Sequence, residues 1–173
     1  MLEIKNVSKK YGKKQVLQDV SFTINPGEIT CLIGENGSGK TTLMNLLMKL
    51  VPSESGEFLI DNEPIDFADF NRISYIPDQM IVLKQMTIQE ALDFMATYYT
   101  AFNLKRADEM LEFFRLNRQD WIANLSKGNV AKVNLLLGLA LDTDYVLMDE
   151  PFSGIDLLAR EEIASVFTTK MME

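Results

Sequence analysis

One octapeptide constrains this chain more than any other feature. Gly34-Glu35-Asn36-Gly37-Ser38-Gly39-Lys40-Thr41 fits the pattern Gly-x-x-x-x-Gly-Lys-Ser/Thr, and Thr42 extends it. It follows an apolar run, Ile29 to Ile33, and precedes a stretch with helical spacing. Strand, glycine-rich turn and helix in that order are the context in which this pattern wraps a polyphosphate. Glycine lets the backbone turn its N–H groups inward, and the helix start adds partial positive charge. Lys40 is expected to reach the β and γ phosphates, and Thr41 to ligate Mg²⁺.

A fold built around such a loop alternates strands and helices, and the rest of the chain agrees. Leu2, Ile4 and Val7 partly alternate with polar residues, and Val16 to Ile24 is rich in β-formers before a Pro26-Gly27 turn. Ile29 to Ile33 reads as a buried strand of a parallel sheet. Apolar residues between Lys40 and Leu50 recur at helical spacing until Pro52. Phe58 to Ile60, Ile73 to Ile76 and Tyr145 to Met148 read as strands. Thr87-Ile88-Gln89-Glu90 has the form of a capping box that opens a helix. Helical pattern dominates to about Leu141 and returns from Leu157 to Met171. This alternation predicts an α/β core with a parallel sheet and a mostly helical insertion over about residues 85–124.

Bulk properties narrow the partners. The 173 residues suit one domain with a real core. A net charge of −8 argues against a nucleic-acid binder. The single cysteine, Cys31, allows no internal disulfide and reads as a small buried hydrophobe on the strand into the loop. Trp121 reads as packing. The start of the chain lacks the layout of a signal peptide, and no apolar run approaches a membrane span. The expected location is the cytoplasm, with any membrane link made through a partner.

A second acidic motif supports the first. Tyr145 to Met148 is an apolar run that ends in Asp149 and Glu150. Asp149 is expected to face the Mg²⁺ held by Thr41, and Glu150 to activate or orient the attacking water.

The motifs between these two resemble the ABC ATPase family. Leu125-Ser126-Lys127-Gly128-Asn129 resembles its LSGGQ signature, with Lys127 in place of a glycine and Asn129 in place of the glutamine. Asp149-Glu150-Pro151 is similar to the family's acidic strand end, and Ser153-Gly154-Ile155-Asp156 to its D-loop. The resemblance runs from Leu2 to about Phe167. It implies a P-loop NTPase core with a mostly parallel sheet, an antiparallel N-terminal β-subdomain and an inserted helical subdomain, all as one ABC ATPase domain over 1–173. Tyr11 sits where the family stacks an aromatic ring on adenine. Near Ile76-Pro77 the family has a glutamine that senses Mg²⁺ or water; here Asp78 or Gln79 stands for it.

The resemblance further implies ATP and Mg²⁺ as ligands, a second ATPase subunit, a transmembrane permease subunit and a place on the inner face of the cell membrane. In a two-subunit sandwich, Lys40, Thr41 and Asp149 of one subunit would face Ser126 to Asn129 of the other. The Leu-Ser-Lys-Gly form resembles bacterial exporters, so the expected role is a motor driving export. Two alternatives are a soluble family member of the translation or DNA-repair type, and a fragment that binds nucleotide but hydrolyses it poorly. The second arises because the family places a switch histidine on a strand after the D-loop helix, and this sequence holds no histidine. The expectation is a truncated C-terminus and weak hydrolysis.

Overall fold

The computed structural model describes residues 1–78, 83–153 and 155–169, with only the backbone described at 158, 159 and 166–169. Two compact units, Met1–Phe70 and Asn71–Glu173, divide the chain.

In the first unit, β1 (Leu2–Tyr11) and β2 (Lys14–Ile24) form an antiparallel hairpin, with Tyr11 opposite Lys14. Gly12 takes φ 59° in the two-residue turn between them, a conformation that favours glycine. β1 also pairs antiparallel with β3 (Ser55–Ile60), and β3 with β4 (Glu63–Pro64), in the order β2-β1-β3-β4. Leu2 and Ile4 are buried at strand spacing, but the next buried residue is Val7, three positions on. Asn6 explains the slip: it adopts φ 50°, the register shifts there, and its N–H donates to Ser21 Oγ at 2.8 Å. The bulge also needs Gly56 opposite it. A Cβ on Gly56 would lie 2.5 Å from the Lys5 carbonyl oxygen and from Val7 Cα.

Helix α1 (Lys40–Leu47) buries Leu43, Leu46 and Leu47. The apolar spacing extends to Leu50, but the chain leaves the helix sooner because Lys49 turns to φ 52°. There Lys49 Nζ donates to the Ile65 carbonyl.

The expected strand over Ile29 to Ile33 does not form. Those residues join no ladder, Ile29 and Ile33 are 79% and 93% exposed, and Cys31 is exposed too, not a buried hydrophobe. The reason is physical. A run apolar on both faces needs cover on both faces and a neighbour to share hydrogen bonds. The outer strand β2 of the first unit is largely exposed and offers no such slot.

In the second unit, β5 (Ile73–Ile76) and β6 (Tyr145–Met148) pair in parallel, Ile73 with Tyr145 through Ile76 with Met148. Helices α2 (Ile88–Tyr98), α3 (Leu104–Phe114), α4 (Lys127–Leu139) and α5 (Leu157–Thr169) accompany the pair. The capping box predicted at Thr87 is complete. Glu90 N donates to Thr87 Oγ1 at 3.2 Å, and Thr87 N to Glu90 Oε2 at 2.7 Å. Ile88, Leu92, Met110, Ile122, Leu136 and Ile163 are fully buried in one core. Trp121, by contrast, is half exposed.

Helix α4 is the hub of this unit. Gly138 lets it approach β5 so closely that a Cβ would meet Ile76 Cγ1 at 2.3 Å. Ser74 Oγ, buried, donates to the Gly138 carbonyl at 2.7 Å. A strand and a helix are thus joined side chain to backbone where neither can reach water. The α/β class expected from the sequence is the class found, with an antiparallel N-terminal sheet and a parallel pair among helices.

Candidate nucleotide site

The glycine-rich loop belongs to the first unit. Residues 34–38 are exposed, and Gly39 is buried where the chain enters α1. Gly37 and Gly39 take φ 81° and 105°. Gly39 can also have no side chain for a second reason, since a Cβ would lie 2.8 Å from Leu17 Cδ2 and 3.2 Å from the Val16 carbonyl oxygen. β2 therefore supports the loop from behind. Ser38 N donates to the Glu35 carbonyl at 3.1 Å and closes the turn across Asn36 and Gly37.

The start of α1 is built for an anion. Its N-cap is Gly39, no side chain caps it, and no acidic residue lies in its first turn. Its first N–H groups thus point to the loop with the positive end of the helix behind them. Lys40 Nζ donates to the carbonyls of Gly34 and Glu35 at 2.9 and 3.1 Å. The ammonium is held over the loop mouth by atoms of the loop itself. Thr41 is exposed and Thr42 half buried in the first turn. Tyr11 stands at the end of β1, 48% exposed.

The acidic motif, the signature-like segment and the D-loop-like segment lie in the second unit. Asp149 leaves β6 with its N–H on the Ile76 carbonyl at 2.9 Å and is 4% exposed. Glu150 is exposed and adopts φ 48°. A left-handed backbone costs a non-glycine residue about 1–2 kcal/mol, and such strain collects at working sites. Ser153 N donates to the Glu150 carbonyl at 2.9 Å, which holds the turn that follows. Asp156 accepts Arg160 N at 3.1 Å through its carbonyl and so begins α5.

A cavity of about 20 Å³ lies between the ends of β5 and β6 and the side of α4, lined among others by Pro77, Asp78, Asn134, Glu150 and Ser153. It has the size of one water molecule and polar groups around it. The structure thus brings Asp78, Glu150 and Ser153 together on one cavity. Gln79, the alternative to Asp78, and Gly154 lie outside the described residues.

Ser126 caps α4. Its Oγ accepts Asn129 N at 3.3 Å, while Lys127 and Gly128 form the first turn. The cavity meets α4 further along, at Ala131 and Asn134, so Ser126 to Asn129 stand apart from it.

Sequence reasoning missed two residues here. Asn134 Nδ2 donates to the Pro77 carbonyl at 2.6 Å and ties α4 to the segment that carries Asp78. It is the one polar side chain in the apolar run Val133 to Leu139, which was its available signal, because asparagine is a poor helix former. Tyr75, half buried on β5, is the other. Burial pushes its phenol above the usual tyrosine range, and the Asp149 carboxylate adds to the rise.

Known proteins resemble this chain in sequence and in fold. The model of the ABC transporter family matches residues 17–153. A petrobactin import ATP-binding protein of Bacillus subtilis is 33% identical, over 94% of this chain and 69% of its own length. A lipopolysaccharide export ATP-binding protein of Haemophilus influenzae is 32% identical, over 97% of this chain and 74% of its own. A solved structure of an ATP-binding subunit of an ABC transporter superposes with a TM-score of 0.82 at 31% identity, covering 95% of this chain and 72% of that one. The chain belongs to the ABC transporter family, as an ATP-binding, ATP-hydrolysing domain of the kind that drives transport. Among the described residues no helix is long and apolar enough to cross a membrane.

Proposed function

We propose that the chain works as one ATPase domain of an exporter, paired with a second ATPase subunit and bound to a transmembrane permease on the cytoplasmic face of the membrane. The observation that carries the nucleotide part is the uncapped, glycine-led start of α1 with Lys40 folded over the loop mouth. The loop N–H groups and Lys40 bind the β and γ phosphates of ATP. Tyr11 takes the adenine. Gly34 to Ser38 close around the chain of phosphates, and Thr42 continues the first turn.

Thr41 and Asp149 supply a hydroxyl and a carboxylate, hard oxygen donors that suit Mg²⁺. Asp78 or Gln79 completes that set. When bound, Mg²⁺ neutralises charge on the phosphates. Glu150 orients the attacking water and accepts its proton, a role that contributes about 10² to 10⁴ in rate. Ser126, Lys127, Gly128 and Asn129 contact the ATP held by the other subunit, and Ser153 and Asp156 lie along the shared face. Opening and closing of that pair moves the permease.

The direction rests on the Leu-Ser-Lys-Gly form of residues 125–128, since the named relatives include both an import and an export protein. Transport assays of the chain reconstituted with a transmembrane permease subunit would decide it; uptake instead of efflux would reverse the assignment. The nucleotide site itself is tested by Lys40→Ala. ATP affinity by calorimetry is expected to fall at least about a hundredfold, given the strength of charge-assisted phosphate contacts. Unchanged affinity would refute the loop assignment.

A further inference from the structure

Lys9 belongs to none of the motifs above, yet it is only 7% exposed. An ammonium is costly to bury unless it is paired and hydrogen-bonded. Lys9 is both. Its Nζ donates to the Pro52 carbonyl at 2.5 Å and to Glu54 Oε1 at 3.4 Å. The other carboxylate oxygen of Glu54 accepts the N–H of Lys10, so the anchor is fixed as well. From this position the ammonium lies over the ring of Tyr11, 5.2 Å from its centroid.

The anchor has a particular address. Pro52 and Glu54 are where the chain runs after α1, the helix that begins in the phosphate loop. At its other end, α1 starts from Gly39, which packs on Val16 and Leu17 of β2. Leu17 is the ladder partner of Lys9. Tyr11 and the phosphate loop are therefore linked twice, once through β2 and once through Lys9. The first link is a close backbone approach; the second is a charged strut.

We propose that Lys9 is a positioning residue for the base of the bound nucleotide. Its ammonium holds one face of the Tyr11 ring and so presents the ring to a purine at a set distance from the phosphate cradle. Tyr11 is about half exposed, which leaves ring surface for a planar partner. The proposal rests on the reading of Tyr11 as the base platform. A cation on one face also withdraws π density and sharpens stacking by an electron-rich purine on the other.

The test measures the affinity of the full chain for ATP and for inorganic tripolyphosphate, which has no base. Lys9→Met is expected to weaken ATP about threefold to tenfold, the usual range for a partly desolvated cation–π contact, and to leave tripolyphosphate unchanged. Lys9→Arg should keep most of the ATP affinity. In a Tyr11→Ala background, Lys9→Met should have no further effect. Glu54→Gln, a milder change, should shift ATP in the same direction by less. Equal losses for ATP and tripolyphosphate, or a full loss in the Tyr11→Ala background, would overturn the proposal. If Tyr11→Ala weakens ATP and Lys9→Met does not, the base platform stands and the role of Lys9 falls. If Tyr11→Ala itself leaves ATP affinity unchanged, the platform reading fails and the proposal fails with it.

Discussion

Helices α1 and α4 both begin at segments proposed to contact phosphate, yet they begin in opposite ways. α1 starts from Gly39 in a left-handed backbone with no side-chain cap. α4 starts from Ser126 in an extended backbone, and the serine hydroxyl takes one of its leading N–H groups. A helix start without a cap leaves its donors to a ligand. A capped one has one of its leading N–H groups satisfied and keeps fewer donors to offer. The difference separates a helix start that no side chain caps from one that its own serine caps. It fits the proposed division of labour, in which α1 holds the nucleotide of its own subunit and α4 touches the one held by the other.

Substitutions at three residues probe this contrast. The largest effect is expected at Gly39→Ala. A Cβ there meets Leu17 and the Val16 carbonyl, and φ 105° lies outside the range of L-residues. A loss of about 2–3 kcal/mol in unfolding free energy is expected, the scale of a forced backbone conformation, together with ATP binding. Chemical denaturation measures it, and a stable Gly39→Ala protein would show that α1 does not depend on its glycine start.

Next comes Asn134→Leu. It removes the only bond by which the Asn134 side chain reaches Pro77 and leaves that carbonyl to find another partner. About 1–2 kcal/mol is expected from an unsatisfied, part-buried acceptor. Hydrogen exchange should also rise at the Asp78 amide while the phosphate loop is unaffected. A rise confined to the loop would reverse the picture. The smallest effect belongs to Ser126→Ala, an exposed cap worth about 1 kcal/mol. Ser126→Asp should recover that stability but not ATP hydrolysis, because a carboxylate caps a helix and repels a phosphate. Recovery of both would mean that the segment is a plain helix start.

Local signals were legible in the sequence, and long-range ones were not. Thr87 and Glu90 announce a helix because both halves of the capping box lie within four residues. Tyr145 to Met148 announces a strand because a short apolar run bounded by polar residues has few other solutions. The glycines of the loop announce their backbone directly. Ile29 to Ile33 has the same apolar character, but a strand also requires a neighbour, and composition does not supply one. The bulge at Asn6 escaped for a related reason: it is fixed by Ser21, fifteen residues away. Asn134 and Lys9 show the limit most clearly. Each acts on a carbonyl dozens of residues distant, and only the folded chain reveals which one.

The pairing of β5 with β6 has a consequence for the birth of the protein. The strands match residue for residue from Ile73 with Tyr145 to Ile76 with Met148, a separation of 72 positions. On a ribosome adding about 5–20 residues per second, β5 emerges roughly 4–14 seconds before its partner exists. The hairpin of β1 and β2 closes across a turn of two residues and waits for nothing. During those seconds β5 carries an apolar edge with no partner strand, the condition that invites wrong pairing or chaperone capture. The nascent chain is therefore most vulnerable after its glycine-rich loop is made and before its acidic strand leaves the exit tunnel.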